Sequence, residues 1–207
     1  MSANNCNTYL IDGPTRILID PGHSNLFDHV AKGVGELGLR RENIGVIICT
    51  HAHPDHIEAV QLFHALPTLV TLHHKEWKFI RTMDSYVPKV AGISSNSIEP
   101  DFFLKKGDIS INGLNLKVFH TPGHSPGSIS LYCPEQKLLF SGDLVFKGGV
   151  GRTDLPGGDG SLLIQSIKNL SELEIEWLLP GHGDIIVGAT AVTSNFNQLK
   201  QFYLNYL

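Results

Sequence analysis

Six residues, His51-Ala52-His53-Pro54-Asp55-His56, constrain this chain more than any other stretch of it. Imidazole and carboxylate are both good ligands for zinc and iron. His51 and His53 stand two apart, so in an extended segment they project to the same side. Ligand-type side chains packed this densely cannot all reach one ion comfortably, and two neighbouring ions are the simpler solution. The segment begins where the apolar run Val46–Cys49 ends. That run has strand length and reads as buried, so the motif leaves the rigid end of a strand.

The arrangement recurs three times. Thr121-Pro122-Gly123-His124 follows an apolar run ending at Phe119. Ser141-Gly142-Asp143 follows one ending at Phe140, and Pro180-Gly181-His182-Gly183 follows one ending at Leu179. Each places a His or Asp just past a strand-like run with Gly beside it, where the backbone can turn sharply. One such histidine would read as a turn residue; the recurrence points to a shared metal site.

The rest of the chain supplies a scaffold. Tyr9–Ile11 and Ile17–Ile19 flank Asp12-Gly13-Pro14 and read as a hairpin. Leu26, Val30, Val34 and Leu37 recur at helical spacing, as do Ile57, Val60, Phe63 and Leu66 after the motif. Leu69–Leu72 reads as a strand and Lys75–Met83 as a helix. Asp84–Pro100 has little periodicity and reads as a long loop or lid. Ile109–Ile111, Leu114–Phe119, Ser128–Tyr132 and Leu138–Phe140 read as strands, with Asn112-Gly113 a hairpin turn between the first two. Leu163, Ile167 and Leu170 mark a helix, Trp177–Leu179 a strand, and Phe196, Leu199, Tyr203 and Tyr206 a last helix. The pattern predicts two packed sheets with helices outside, in a single domain over 1–207.

Composition excludes other classes. The chain of 207 residues is 42% hydrophobic and 17% charged, which suits a sizeable core rather than disorder. Net charge is −4, so no basic surface for nucleic acid is expected. No apolar run approaches the roughly 18 residues of a membrane span, and Met1–Leu10 lacks the basic and apolar regions of a signal peptide. Three cysteines, Cys6, Cys49 and Cys133, show no disulfide-framework spacing. A cytoplasmic protein acting on a small molecule is the expectation.

The motifs His51-x-His53-x-Asp55-His56, Gly123-His124-Ser125-x-Gly127-Ser128, Gly142-Asp143 and Gly181-His182-Gly183 resemble the metal motifs of the metallo-β-lactamase superfamily. The run from Gly142 through Arg152-Thr153-Asp154 resembles the glyoxalase II branch, the hydroxyacylglutathione hydrolases, and the related persulfide dioxygenases. The resemblance spans about Asn5 to Gly188. It implies an α/β fold, a four-layer αββα sandwich of two mixed β-sheets flanked by helices. It implies two divalent metal ions per chain, zinc first and iron or a mixed pair next. His51, His53 and His124 would hold one ion, Asp55, His56 and His182 the other, and Asp143 would bridge them. Asp55 and Asp143 are the carboxylates it places at the reaction centre. The implied activity is attack of a metal-bridging hydroxide on the carbonyl of an anionic, S-lactoylglutathione-like thioester. A mononuclear-iron persulfide dioxygenase is the alternative, then a lactonase or other hydrolase of this fold. True glyoxalase II enzymes carry a helical C-terminal extension that helps hold glutathione. Only about 25 residues follow His182, so weaker thiol recognition is expected.

Three further residues are singled out. Asp20, ending a strand in Ile19-Asp20-Pro21-Gly22, reads either as a turn residue or as an acceptor orienting a ligand histidine. Lys147 and Arg152 flank a Gly-rich loop just after Asp143 and are candidates for gripping an anionic substrate tail, or, for Arg152, for pairing with Asp154 or Asp159 to shape the loop. Cys49, His73, His74 and His120 read as structural, His29 and His64 as helical residues without a special role, and His23 as a residue that could line the site.

Overall fold

The computed structural model describes residues 5–83 and 98–203. The chain divides into two compact units, Met1–Leu104 and Lys105–Leu207, each built on its own mixed sheet flanked by helices.

In the first unit, β1 (Tyr9–Ile11) and β2 (Arg16–Ile19) form the expected hairpin, with Leu10 opposite Leu18. A 3-10 turn over Ser24–Leu26 leads into α1 (Phe27–Glu36), which buries Phe27, Val30 and Val34. Next come β3 (Ile44–Ile48), α2 (Pro54–Ile57), a 3-10 turn over Glu58–Phe63, β4 (Leu69–His73), α3 (His74–Met83) and β5 (Phe102–Leu104). The sheet order is β1-β2-β3-β4-β5, and β2 through β5 run parallel. A parallel sheet wants cover, and its strands read as near-continuous apolar runs. Leu18, Ile47 and Leu72 are accordingly buried with Phe27 and Phe63, whose rings meet edge-on at 5.5 Å.

In the second unit, β6 (Gly107–Ile111) and β7 (Leu114–His120) are joined at Asn112-Gly113 as expected. Both turn residues have positive φ, 46° and 91°, the pairing that matches strand twist in a two-residue hairpin. β8 (Ile129–Cys133), β9 (Leu138–Gly142), the short pair β10 (Val145–Phe146) and β11 (Gly149–Val150), α4 (Gly160–Leu170), β12 (Trp177–Pro180), β13 (Ile186–Val187) and α5 (Ala189–Tyr203) follow. The main sheet is ordered β13-β12-β9-β8-β7-β6. Asp159 caps α4, its side chain accepting from the Leu162 N–H. Leu163, Ile167 and Leu170 pack with Leu139, Leu178, Val192 and Phe196.

These topologies put each candidate ligand at a sheet edge. β2 and β3 are parallel neighbours, so Asp20 and Thr50-His51 leave the same edge. β7 and β9 are both antiparallel to β8, and β12 is parallel to β9. The segments bearing His124, Asp143 and His182 therefore leave one edge of the second sheet.

Some expectations need adjusting. The helix expected from Ile57 starts at Pro54 instead, since Pro at the first helical position pre-sets φ. It stays α-helical only to Ile57, because the Ala59 N–H donates to the Gly22 carbonyl at 2.8 Å instead of continuing the helix. The strands β5, β10, β11 and β13 are too short to show alternation and were not expected. The loop expected over Asp84–Pro100 lies outside the described residues except for 98–100, as does Tyr206 of the last helix. Among the described residues, no helix is long and apolar enough to cross a membrane, and the three cysteines are buried with no disulfide between them.

Candidate metal centre

In the first unit the motif is held from behind by one carboxylate. Asp20 is 2% exposed and has φ 52°, a left-handed backbone uncommon outside Gly. Its Oδ1 accepts the Thr50 N–H at 2.7 Å. Its Oδ2 accepts the Thr50 hydroxyl at 2.7 Å and lies 2.9 Å from His56 Nδ1. A carboxylate cannot donate, so His56 Nδ1 carries the proton and Nε2 keeps its lone pair. The Thr50 hydroxyl spends its single proton on Asp20. It must then accept from His51 Nδ1, 3.1 Å away, which again leaves the lone pair on Nε2. One buried Asp thus selects the metal-binding tautomer of two histidines, the arrangement that raises ligand basicity.

The candidate ligand atoms themselves cluster. Those of His51 and His53 lie within 4.8 Å of each other, as do those of His51 and His56 and those of Asp55 and His56. The His51 ring meets His53 edge-on at 4.8 Å and lies tilted against His56 at 4.0 Å. Between His51 and His53, the Ala52 N–H donates to Glu76 of α3, a carboxylate only 1% exposed.

In the second unit, Asp143 Oδ2 stands 3.5 Å from His124 Nε2 and 3.4 Å from His182 Nε2. Both distances exceed a good N–H···O bond of about 2.7–3.2 Å. They match two atoms each about 2.0–2.1 Å from a shared tetrahedral ion, which stand roughly 3.4 Å apart. The His124 tautomer agrees: Nδ1 donates to the Arg152 carbonyl at 2.8 Å, leaving the lone pair on Nε2. The donor set therefore fits divalent metal.

The loop from Asp143 to Arg152 returns on itself to deliver that carbonyl. The Gly151 N–H donates to Leu144 O at 3.3 Å. A Cβ at Gly151 would lie 1.8 Å from the Asp143 carbonyl oxygen and 3.2 Å from His124 Cγ. Only Gly permits this approach.

Other singled-out residues have defined partners. Arg152 forms a two-pronged pair with Asp154, at 2.8 and 2.6 Å, and both are exposed. This is the loop-shaping pairing given above as the alternative. The bond from Arg152 lowers the Asp154 carboxyl to about 2, and the guanidinium is raised in turn. Lys147 pairs with Asp184 at 2.9 Å. His23 Nδ1 meets Glu58 at 2.7 Å, and His120 meets the Pro126 carbonyl at 3.0 Å. Cys49 is wholly buried, which pushes its thiol up and makes it inert. Thr50, Glu76, Asn195 and the Arg152 carbonyl were not anticipated. Asn195 had a signal, since it is a polar residue on the apolar helix face of Val192, Phe196 and Leu199.

Residues 1–182 match the family model of the metallo-beta-lactamase superfamily. The chain is 36% identical over 187 residues to the probable metallo-hydrolase MJ0888 of Methanocaldococcus jannaschii, covering 86% of this chain and 88% of that one. It is 33% identical over 187 residues to the hydroxyacylglutathione hydrolase GloC of Haemophilus influenzae, covering 88% and 82%. Among solved structures it is similar to TTHA1623 in a di-iron-bound form, with a TM-score of 0.75 and 33% identity over 98% of this chain and 95% of that one.

Proposed function

Because the chain belongs to the metallo-β-lactamase superfamily and is a metal-dependent hydrolase of that fold, we propose that it cleaves a small anionic thioester at a two-metal site. His51, His53 and His124 would hold one ion, Asp55, His56 and His182 the other, and Asp143 would be shared. The observation that carries the reading is Asp143 Oδ2, placed almost equally from His124 and His182. A carboxylate oxygen between two imidazoles, each from a different proposed ligand set, is what a bridge requires. Ions bound there, zinc or iron, would supply Lewis acidity and bring water to a pKa near 7.

The chain's own residues would prepare the site. Asp20 and the Arg152 carbonyl hold three imidazoles with Nε2 deprotonated. Thioester specificity is supported by the likeness to GloC and by chemistry. A thiolate, from a thiol of pKa near 8.5, departs without a dedicated general acid. Arg152 is the proposed grip on the anionic tail, with a planar fork suited to carboxylate.

The test is metal analysis of purified protein followed by a substrate panel: S-lactoylglutathione, a neutral thioester, a β-lactam, and a glutathione persulfide with oxygen uptake recorded. Two metal equivalents and cleavage of thioesters ahead of the β-lactam are expected. Oxygen uptake on the persulfide with no thioester cleaved would overturn the hydrolytic reading.

A further inference from the structure

The hairpin β10–β11 cannot hold itself in place. It has two residue pairs, Val145 with Val150 and Phe146 with Gly149, around the turn Lys147-Gly148. Such a short ribbon is marginal in water. Its turn is also mismatched: Gly148 has φ 72°, but Lys147 is not among the residues of positive φ. Turns of that kind splay the strands, unlike Asn112-Gly113. The hairpin's base is held from β9, where the Ser141 hydroxyl donates to the Val145 carbonyl at 2.9 Å; its turn is braced from α5.

Asn195 is 7% exposed and spans the turn from 47 and 49 residues away. Its Oδ1 accepts the Gly148 N–H at 2.8 Å, and its Nδ2 donates to the Phe146 carbonyl at 3.0 Å. Both halves of one buried amide are committed to the backbone on either side of Lys147. The exposed Lys147–Asp184 pair adds little in water. The braced residue is Phe146, whose ring stands edge-on to His182 with centroids 5.9 Å apart. Both rings are half-buried, so an apolar surface is accessible directly beside a candidate ligand imidazole.

We propose that Phe146 is a specificity-determining residue that contacts the acyl group of the substrate, and that Asn195 is the positioning residue that keeps it against His182. The proposal rests on the thioester reading for the identity of the acyl group, but the brace itself does not depend on it. An edge-fixed aromatic wall favours an apolar acyl chain over acetyl. A hairpin released from α5 would lose that preference without losing metal ligands.

The experiment pairs a metal-free measurement with a selectivity measurement. Amide hydrogen exchange at Gly148 is followed in metal-free wild type, Asn195→Leu and Asn195→Asp. Asparagine-to-leucine removes both bonds, whereas the aspartate keeps the acceptor and loses the donor. Protection at Gly148 should fall by about tenfold or more in Asn195→Leu, and less in Asn195→Asp. In loaded enzyme, the ratio of kcat/KM for butyryl over acetyl thioester should shrink by about tenfold in both Asn195→Leu and Phe146→Ala. The double variant should shrink it no further, because both act through one contact. Unchanged protection at Gly148, or selectivity losses that add in the double variant, would overturn the proposal. Wild-type protein that binds no metal would count against the two-metal reading alone, since the Gly148 amide still decides the brace.

Discussion

His56 Nδ1 stands 2.9 Å from Asp20 Oδ2, a contact between residues 36 apart that fixes which nitrogen of His56 keeps its lone pair. The same oxygen takes the Thr50 hydroxyl, which in turn holds His51. Asp20→Asn should therefore weaken metal binding by roughly ten- to a hundredfold, measured by chelator competition. Fold and melting behaviour should change less than affinity. Undiminished affinity would reduce Asp20 to a turn residue.

Asp143→Ala should remove most hydrolysis and reduce the binding of both ions together. The carboxylate lies within 3.5 Å of imidazoles from both proposed ligand sets, so its loss damages both. Metal titration separates this from a local effect. A variant that retains one ion at full affinity would show that Asp143 serves only the other.

Gly151→Ala and Gly148→Ala should differ sharply. A methyl at Gly151 collides with the Asp143 carbonyl oxygen and crowds His124, so the Asp143–Arg152 loop must shift. Destabilisation of about 3 kcal/mol or more, with loss of metal, is expected from overpacking against backbone. At Gly148 nothing lies within 4 Å of a built Cβ, and only the positive φ is penalised. That costs about 1–2 kcal/mol. Denaturant unfolding of both variants is the measurement, and equal costs would contradict the tight return of the loop.

The Asp154 carboxyl should titrate near 2 by NMR, because Arg152 bonds its charged form. In the folded protein this carboxyl sits below its ordinary range. The pair's contribution is therefore complete above the unfolded value and disappears as pH falls through about 2. Arg152→Ala should return the midpoint toward the ordinary range. It should also raise KM for an anionic thioester by roughly ten- to a hundredfold, the scale of a charge-assisted hydrogen bond. Metal content and the rate on a neutral thioester should stay constant. Equal losses on charged and neutral substrates would make Arg152 a loop-shaping residue paired to Asp154.

Much of this architecture is written locally. The hairpin at Asn112-Gly113, the buried strand before His51 and the apolar stripe of α4 all follow from short-range periodicity and turn chemistry. So does the placement of His51, His124, Asp143 and His182 just past strand ends, because a strand's end is marked by where its apolar run stops. Resemblance of the motifs was enough to indicate the family. Asp20 was legible as one of two readings, turn residue or acceptor for a histidine, and the contact with His56 matches the second; what no local pattern carried was the rest of the support behind the candidate ligands. The two-histidine brace of Asp20 depends on β2 and β3 lying side by side and parallel. The Arg152 carbonyl reaches His124 only because the loop closes tightly at Gly151, and a backbone carbonyl leaves no trace in side-chain identity. Asn195 grips Phe146 and Gly148 only because α5 packs beside the hairpin. Lys147 and Arg152 were legible as cations near the site, but their pairing with Asp184 and Asp154 was decided by loop geometry. Periodicity reports burial and turning within a few residues; hydrogen bonds between residues dozens apart form only when topology brings their strands and loops together.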